Sequence, residues 1–115
     1  MNLLSSKPNV LVTAIGTMTS SAIVSQLKAS GQFYIIGADI YLSHQVATSM
    51  DVDEFYVFPS AVEDLDVYLN FVLEFCVQHE VDYYFANIDE EVVNLSRHRD
   101  LFSEIGVKLC IPNEQ

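Results

Sequence analysis

Basic side chains are scarce. Only five of the 115 residues are Lys or Arg, against 16 Asp or Glu, which leaves a formal charge of −11. A phosphate backbone is bound by clustered cations that displace its counterions, and an anionic membrane surface recruits the same clusters. Neither nucleic acid nor membrane is therefore an expected partner. Cysteine is scarce too. Cys76 and Cys110 lie inside apolar runs without C-x-x-C spacing, the pattern of reduced core thiols in a cytoplasmic protein. Cys76 and His79 stand three apart, but no second pair completes a tetrahedral metal site. No apolar stretch approaches the roughly 18 residues of a transmembrane span. The N-terminus, Met-Asn-Leu-Leu-Ser-Ser-Lys-Pro, lacks the charged-then-apolar order of a secretory signal. The length suffices for one core and not two, so residues 1–8 are expected as a tail and 9–115 as a single domain.

What is present is an alternation. Val10-Leu11-Val12-Thr13-Ala14-Ile15 is a continuous apolar run closed by Gly16, as expected of a strand buried on both faces of a parallel sheet. Ile23, Val24 and Leu27 follow at helical spacing, and Gly31 suits the C′ position. A second strand is expected over Phe33 to Ala38 and a third over Glu54 to Phe58, stopped by Pro59. The weaker pattern between Ile40 and Asp53 reads as a loop. Ser60 and Glu63 have the spacing of a capping box ahead of Leu65, Leu69, Val72, Leu73 and Cys76, a buried helical stripe. A fourth strand is expected at Tyr83 to Ala86, one helix from Asp89 to Gly106, and a fifth strand at Val107 to Ile111. Strands alternating with helices imply a doubly wound, mainly parallel α/β sheet of about five strands, with helices on both faces.

In such a sheet, ligands gather at the carboxyl ends of the strands. Three segments belong there: Gly16-Thr17-Met18-Thr19, Gly37-Ala38-Asp39 and Asn87-Ile88-Asp89-Glu90-Glu91. The first retains only the middle glycine of a G-x-G-x-x-G dinucleotide fingerprint, so NAD or FAD is disfavoured even though Asp39 sits near the ribose-binding position. Its hydroxyls either cap the helix or, with the backbone amides, receive a phosphate or carboxylate. Asp39 either takes a hydroxyl pair or an amine, or caps Tyr41 and Leu42. Asp89, Glu90 and Glu91 either satisfy a helix N-terminus or bind an ammonium group or a metal–phosphate complex. His98, between Arg97 and Arg99, is expected on a solvated helix face. The charge is uneven, at +1 over residues 1–50 and −12 over residues 51–115, so the first half is the better place for an anionic ligand.

Taken in order, several segments resemble a known family. These are Val10-Leu11-Val12-Thr13-x-x-Gly16, Ser25-Gln26-Leu27-Lys28, Ile36-Gly37-Ala38-Asp39, Asp53-Glu54-Phe55-Tyr56-Val57-x-Pro59, Asp89-Glu90-Glu91, Leu95-Ser96-Arg97-His98-Arg99-Asp100-Leu101-Phe102 and Gly106-Val107. They are similar to the N-terminal pre-ATP-grasp domain of short ATP-grasp proteins akin to the large subunit of carbamoyl-phosphate synthase. The resemblance implies a Rossmann-like domain on the substrate side of a ligase. That ligase would use MgATP to convert a carboxylate to an acyl phosphate for attack by an amine or similar nucleophile. ATP and Mg would be held mainly by ATP-grasp lobes that would begin near Gln115, with no cofactor expected in this segment and no catalysis by it alone. By position, Gly16, Thr17 and Thr19 would contact the substrate or the transferred phosphate, and Asp39, Asp89 and Glu90 would orient its polar or cationic end. The partners implied are a small-molecule substrate, the ATP-grasp lobes and a possible second copy as a homodimer. The competing reading is a free-standing Rossmann-like sensor of a small ligand. A receiver domain is set aside, because Ala14-Ile15-Gly16 and Phe58-Pro59-Ser60 occupy the places of its acids.

Overall fold

A computed structural model describes residues 7–39, 51–59, 64–86 and 89–110. The chain alternates as β1 (Asn9–Thr13), α1 (Met18–Ser30), β2 (Tyr34–Asp39), β3 (Glu54–Val57), α2 (Leu65–Gln78), β4 (Tyr83–Phe85), α3 (Asp89–Arg97), α4 (Arg99–Glu104) and β5 (Lys108–Cys110). The strands form one sheet in the order β3-β2-β1-β4-β5. Every pairing is parallel, with Leu11 opposite both Ile36 and Tyr84 at the centre. The order reverses between β1 and β4, which opens the crevice at their carboxyl ends.

Alternate residues of the central strands feed two cores. Leu11, Ile36, Ala38 and Tyr84 pack with Tyr68, Leu69, Val72, Phe75 and Cys76 of α2, Leu95 of α3 and Phe102 of α4. Val10, Val12 and Ile35 pack on the other face with Val24 of α1. Helices therefore cover both faces. The continuous apolar character of β1 follows from this, since both faces are dry. No helix among the described residues is long and apolar enough to cross a membrane.

Several boundaries differ from expectation. β1 stops at Thr13 rather than Ile15, because Ala14 turns into the left-handed region at φ 53°. α2 begins at Leu65 with Asp64 as its N-cap, accepting from the amides of Asp66 and Val67 at 3.1 Å; Ser60 and Glu63 lie outside the described residues. The single helix expected before Gly106 is two. At His98 the bonding tightens to three-residue spacing, His98 N–H to the Leu95 carbonyl and Leu101 N–H to the His98 carbonyl, both 3.0 Å. One turn of this kind re-aims a helix without leaving its amides unpaired.

Candidate functional site

The crevice is walled by the β1–α1 loop, the end of β2 and the first turn of α3. The loop is built around one carbonyl. Ala14 O accepts both the Thr17 amide at 3.0 Å and the Thr17 hydroxyl at 2.9 Å. A left-handed alanine costs on the order of 1 kcal/mol, and these two bonds, with the Ile15 amide donating to Ala38 O, hold it there. Thr17 is the N-cap of α1 and its Oγ1 accepts from the Ser20 amide at 3.3 Å. The Ser20 hydroxyl, wholly buried, donates to Thr13 O at 2.9 Å.

Asp39 ends β2 and is nearly buried, and its Oδ2 accepts the Gly16 amide at 2.9 Å. The carboxylate thus occupies the amide that a bound phosphate would use, and its charge opposes an anion there. The alternative role of Asp39, capping Tyr41 and Leu42, involves residues outside those described. Gly16, Thr17 and Thr19 are exposed at this edge. Asp89 and Glu90 open α3 at the same edge, while their side chains lie outside the description. The topology therefore brings all six candidate positions to the carboxyl side of the sheet.

Glu91 departs from its two acidic neighbours. It is completely buried, and it accepts from the Thr13 hydroxyl at 2.8 Å on Oε1 and from the Tyr68 and Tyr84 hydroxyls on Oε2. Burial pushes its carboxyl above the usual carboxylate range, against the pull of those three donors. Burial, helped by the Glu91 charge, pushes both tyrosine hydroxyls upward. Sequence reasoning grouped Glu91 with the crevice acids and missed this cluster. One signal was available, because Glu91 shares a helical stripe with the apolar Leu95 and Phe102.

A second carboxylate–tyrosine group lies at the opposite, amino edge. Glu54 accepts from the Tyr34 and Tyr56 hydroxyls, which lowers its pKa and raises Tyr34 to about 12. The cations are at that edge as well. Lys7 and Lys108 line one depression and Lys7 and Lys28 another, and Lys28 pairs with Asp51 at 3.3 Å. Arg97 and Arg99 flank His98, after α3 has run back from the crevice. No Lys or Arg is placed in the crevice by this topology. Among the described residues no group of three His, Cys, Asp or Glu is placed to hold a metal ion.

A family model described as PylC-like, N-terminal domain matches residues 10–110. No curated protein matches the chain. Among solved structures, a dTDP-glucose 4,6-dehydratase from Bacillus anthracis in complex with NAD is similar over 90% of this chain and 36% of its own, at 19% identity and TM-score 0.59. A 4-hydroxyisoleucine dehydrogenase complexed with NADH is similar over 91% and 53%, at 14% identity and TM-score 0.56. An epimerase from Methanothermobacter thermautotrophicus is similar over 94% and 35%, at 16% identity and TM-score 0.55. The chain thus spans about a third to a half of these proteins, and at such identities the likeness is one of Rossmann-like fold.

Proposed function

The chain belongs to the PylC-like N-terminal domain family, a pre-ATP-grasp domain, and from that premise we propose that it forms the acceptor-substrate wall of an ATP-grasp ligase. The reaction class is activation of a carboxylate by MgATP as an acyl phosphate, followed by attack of an amine or similar nucleophile. The observation that carries this reading is the family match over nearly the whole chain, together with a crevice bearing acids and no Lys or Arg. Such a wall does not neutralise a triphosphate, so nucleotide and magnesium fall to ATP-grasp lobes outside these residues. It suits the ammonium or hydroxyl end of a substrate, oriented by Asp39, Asp89 and Glu90, with the Thr17 and Thr19 hydroxyls beside them. The incomplete glycine fingerprint and the Gly16–Asp39 bond argue against the dinucleotides held by the solved neighbours.

The test is Asp89→Asn in the ligase that contains this domain. Substrate-dependent ATP turnover should fall by more than about tenfold, while the melting temperature moves by no more than a surface or cap substitution allows, about 2–4 °C. A loss of stability with turnover per folded molecule unchanged would remove Asp89 from the site. Calorimetry of the 115-residue chain with ATP and with amino acids gives a second check. Tight binding of a metabolite by this chain alone would favour the sensor reading instead.

A further inference from the structure

The crevice has a support that the ligase reading leaves unused. Glu91, the third residue of α3, takes hydroxyls from three other elements: Thr13 at the end of β1, Tyr68 of α2 and Tyr84 of β4. Among the described residues, the donors to this buried carboxyl are the hydroxyls of Thr13, Tyr68 and Tyr84. An apolar side chain of similar volume would fill such a position at less cost, because a buried ion loses several kcal/mol of hydration. The carboxylate supplies what a leucine would not, a directional hold on Thr13.

Thr13 is the last residue of β1 before the chain turns left-handed at Ala14. Its hydroxyl is held by Glu91 and its carbonyl by the Ser20 hydroxyl of α1. The series Glu91, Thr13, Ser20 therefore runs from the first turn of α3, which carries Asp89 and Glu90, to the helix and loop that carry Gly16, Thr17 and Thr19. Both walls of the crevice meet at one pair of hydrogen bonds.

We propose that Glu91 is a positioning residue that, through the Thr13 hydroxyl, holds the first turn of α3 and the β1–α1 loop in one register. Its importance for turnover rests on the ligase reading; the mechanical coupling does not. Thr13→Val removes the hydroxyl that donates to Glu91 at 2.8 Å and lies 3.4 Å from the Phe85 carbonyl, keeps the shape of the side chain and leaves both tyrosine bonds in place. Thr13→Ser restores the hydroxyl. Glu91→Gln keeps the shape of the other partner and removes its charge.

Amide hydrogen exchange on the 115-residue chain reads the coupling. In Thr13→Val, exchange should accelerate about tenfold or more in both Gly16–Ser20 and Glu91–Leu95, as loss of one hydrogen bond to a charged acceptor requires, with β5 unchanged. Glu91→Gln should accelerate the same two segments, and Thr13→Ser should return to wild-type rates. Acceleration in only one segment, or failure of the serine to restore protection, overturns the proposal. In the ligase, Thr13→Val should raise KM for the substrate whose ammonium or hydroxyl end the crevice orients several-fold more than it lowers kcat. Coupled exchange with unaltered KM and kcat would leave Glu91 a positioning residue and count against the ligase reading.

Discussion

Tyr84→Phe isolates one donor of the buried carboxylate and keeps everything else about the side chain. The ring is wholly buried at the centre of the sheet, tilted against Phe102 with centroids 5.8 Å apart, so phenylalanine retains the packing. What is lost is a hydroxyl donating to Glu91, together with its longer 3.5 Å contact to the Tyr68 hydroxyl. A hydrogen bond to a charged acceptor contributes about 1.5–3 kcal/mol. A chain of 115 residues unfolds with an entropy of about 0.24 kcal/mol/K, so the melting temperature should fall by about 6–12 °C. The loss should also depend on pH. Removing a donor to the ionised form raises the folded-state pKa of Glu91 further above its unfolded value, and a group raised in this way contributes stability below the unfolded pKa that is lost as pH rises through the folded one. The deficit should therefore be larger near pH 8 than near pH 5, as read by circular-dichroism melts of both proteins. In the Glu91→Gln background the pH dependence of the deficit should vanish. A deficit below about 2 °C at both pH values, or one that is equal at both, would refute the idea that this hydroxyl serves a buried charge.

Other perturbations follow from the same geometry. A Cβ added at Gly37 would lie 2.9 Å from Val52 Cγ1 and 3.0 Å from Ile15 Cδ1, so Gly37→Ala should cost about 1–3 kcal/mol of overpacking in urea denaturation; an unchanged midpoint would show that these side chains give way freely. Burial holds the Cys76 thiol up at about 12, so near pH 8 an aromatic disulfide reagent should label Cys110, which is partly exposed, and reach Cys76 only on unfolding. Equal labelling rates would contradict that burial. The Glu54 hydrogen bond, followed by burial, holds the Tyr34 phenol up at about 12. An alkaline absorbance titration should therefore show Tyr34 among the late-ionising phenols, with Tyr56, Tyr68 and Tyr84 also raised, and Glu54→Gln should remove one late phenol by bringing Tyr34 down toward the ordinary value near 10. The Tyr34 contribution to stability is present below the ordinary pKa and should be lost as pH rises toward 12.

The parallel sheet was legible because its cause is local and repeated. Each strand is a short apolar run with a stop beside it, and each helix shows its buried stripe, as Leu69, Val72 and Cys76 do. The departures share a different cause. Ala14 has no sequence mark of a left-handed residue, and it is held there by Thr17 and Ala38. The break at His98 divides a stretch with unbroken helical periodicity. The Gly16–Asp39 bond joins residues 23 apart and the Thr13–Glu91 bond residues 78 apart; neither leaves a trace in any local window. Of the candidate positions, the topology could be read and brings all six to one edge. The pairing that takes up the Gly16 amide could not, because it depends on how β1 and β2 lie in register.

The separation of charge along the strands has a dynamic consequence. Every lysine and arginine lies away from the crevice, and Lys7, Lys28 and Lys108 stand among Asp51, Asp53 and Asp82, so the foot mixes both signs while the mouth has acidic positions and no cation, within a net charge of −11. A solute diffusing toward the mouth is sorted by its leading group before any contact forms. On the ligase reading, amines should be drawn in and phosphates turned away until another surface neutralises them. Encounter rates for cationic solutes should therefore slow as ionic strength rises and the Debye length contracts to about 8 Å near physiological salt. On that reading the mouth would act as an electrostatic filter on encounter, ahead of any recognition by shape.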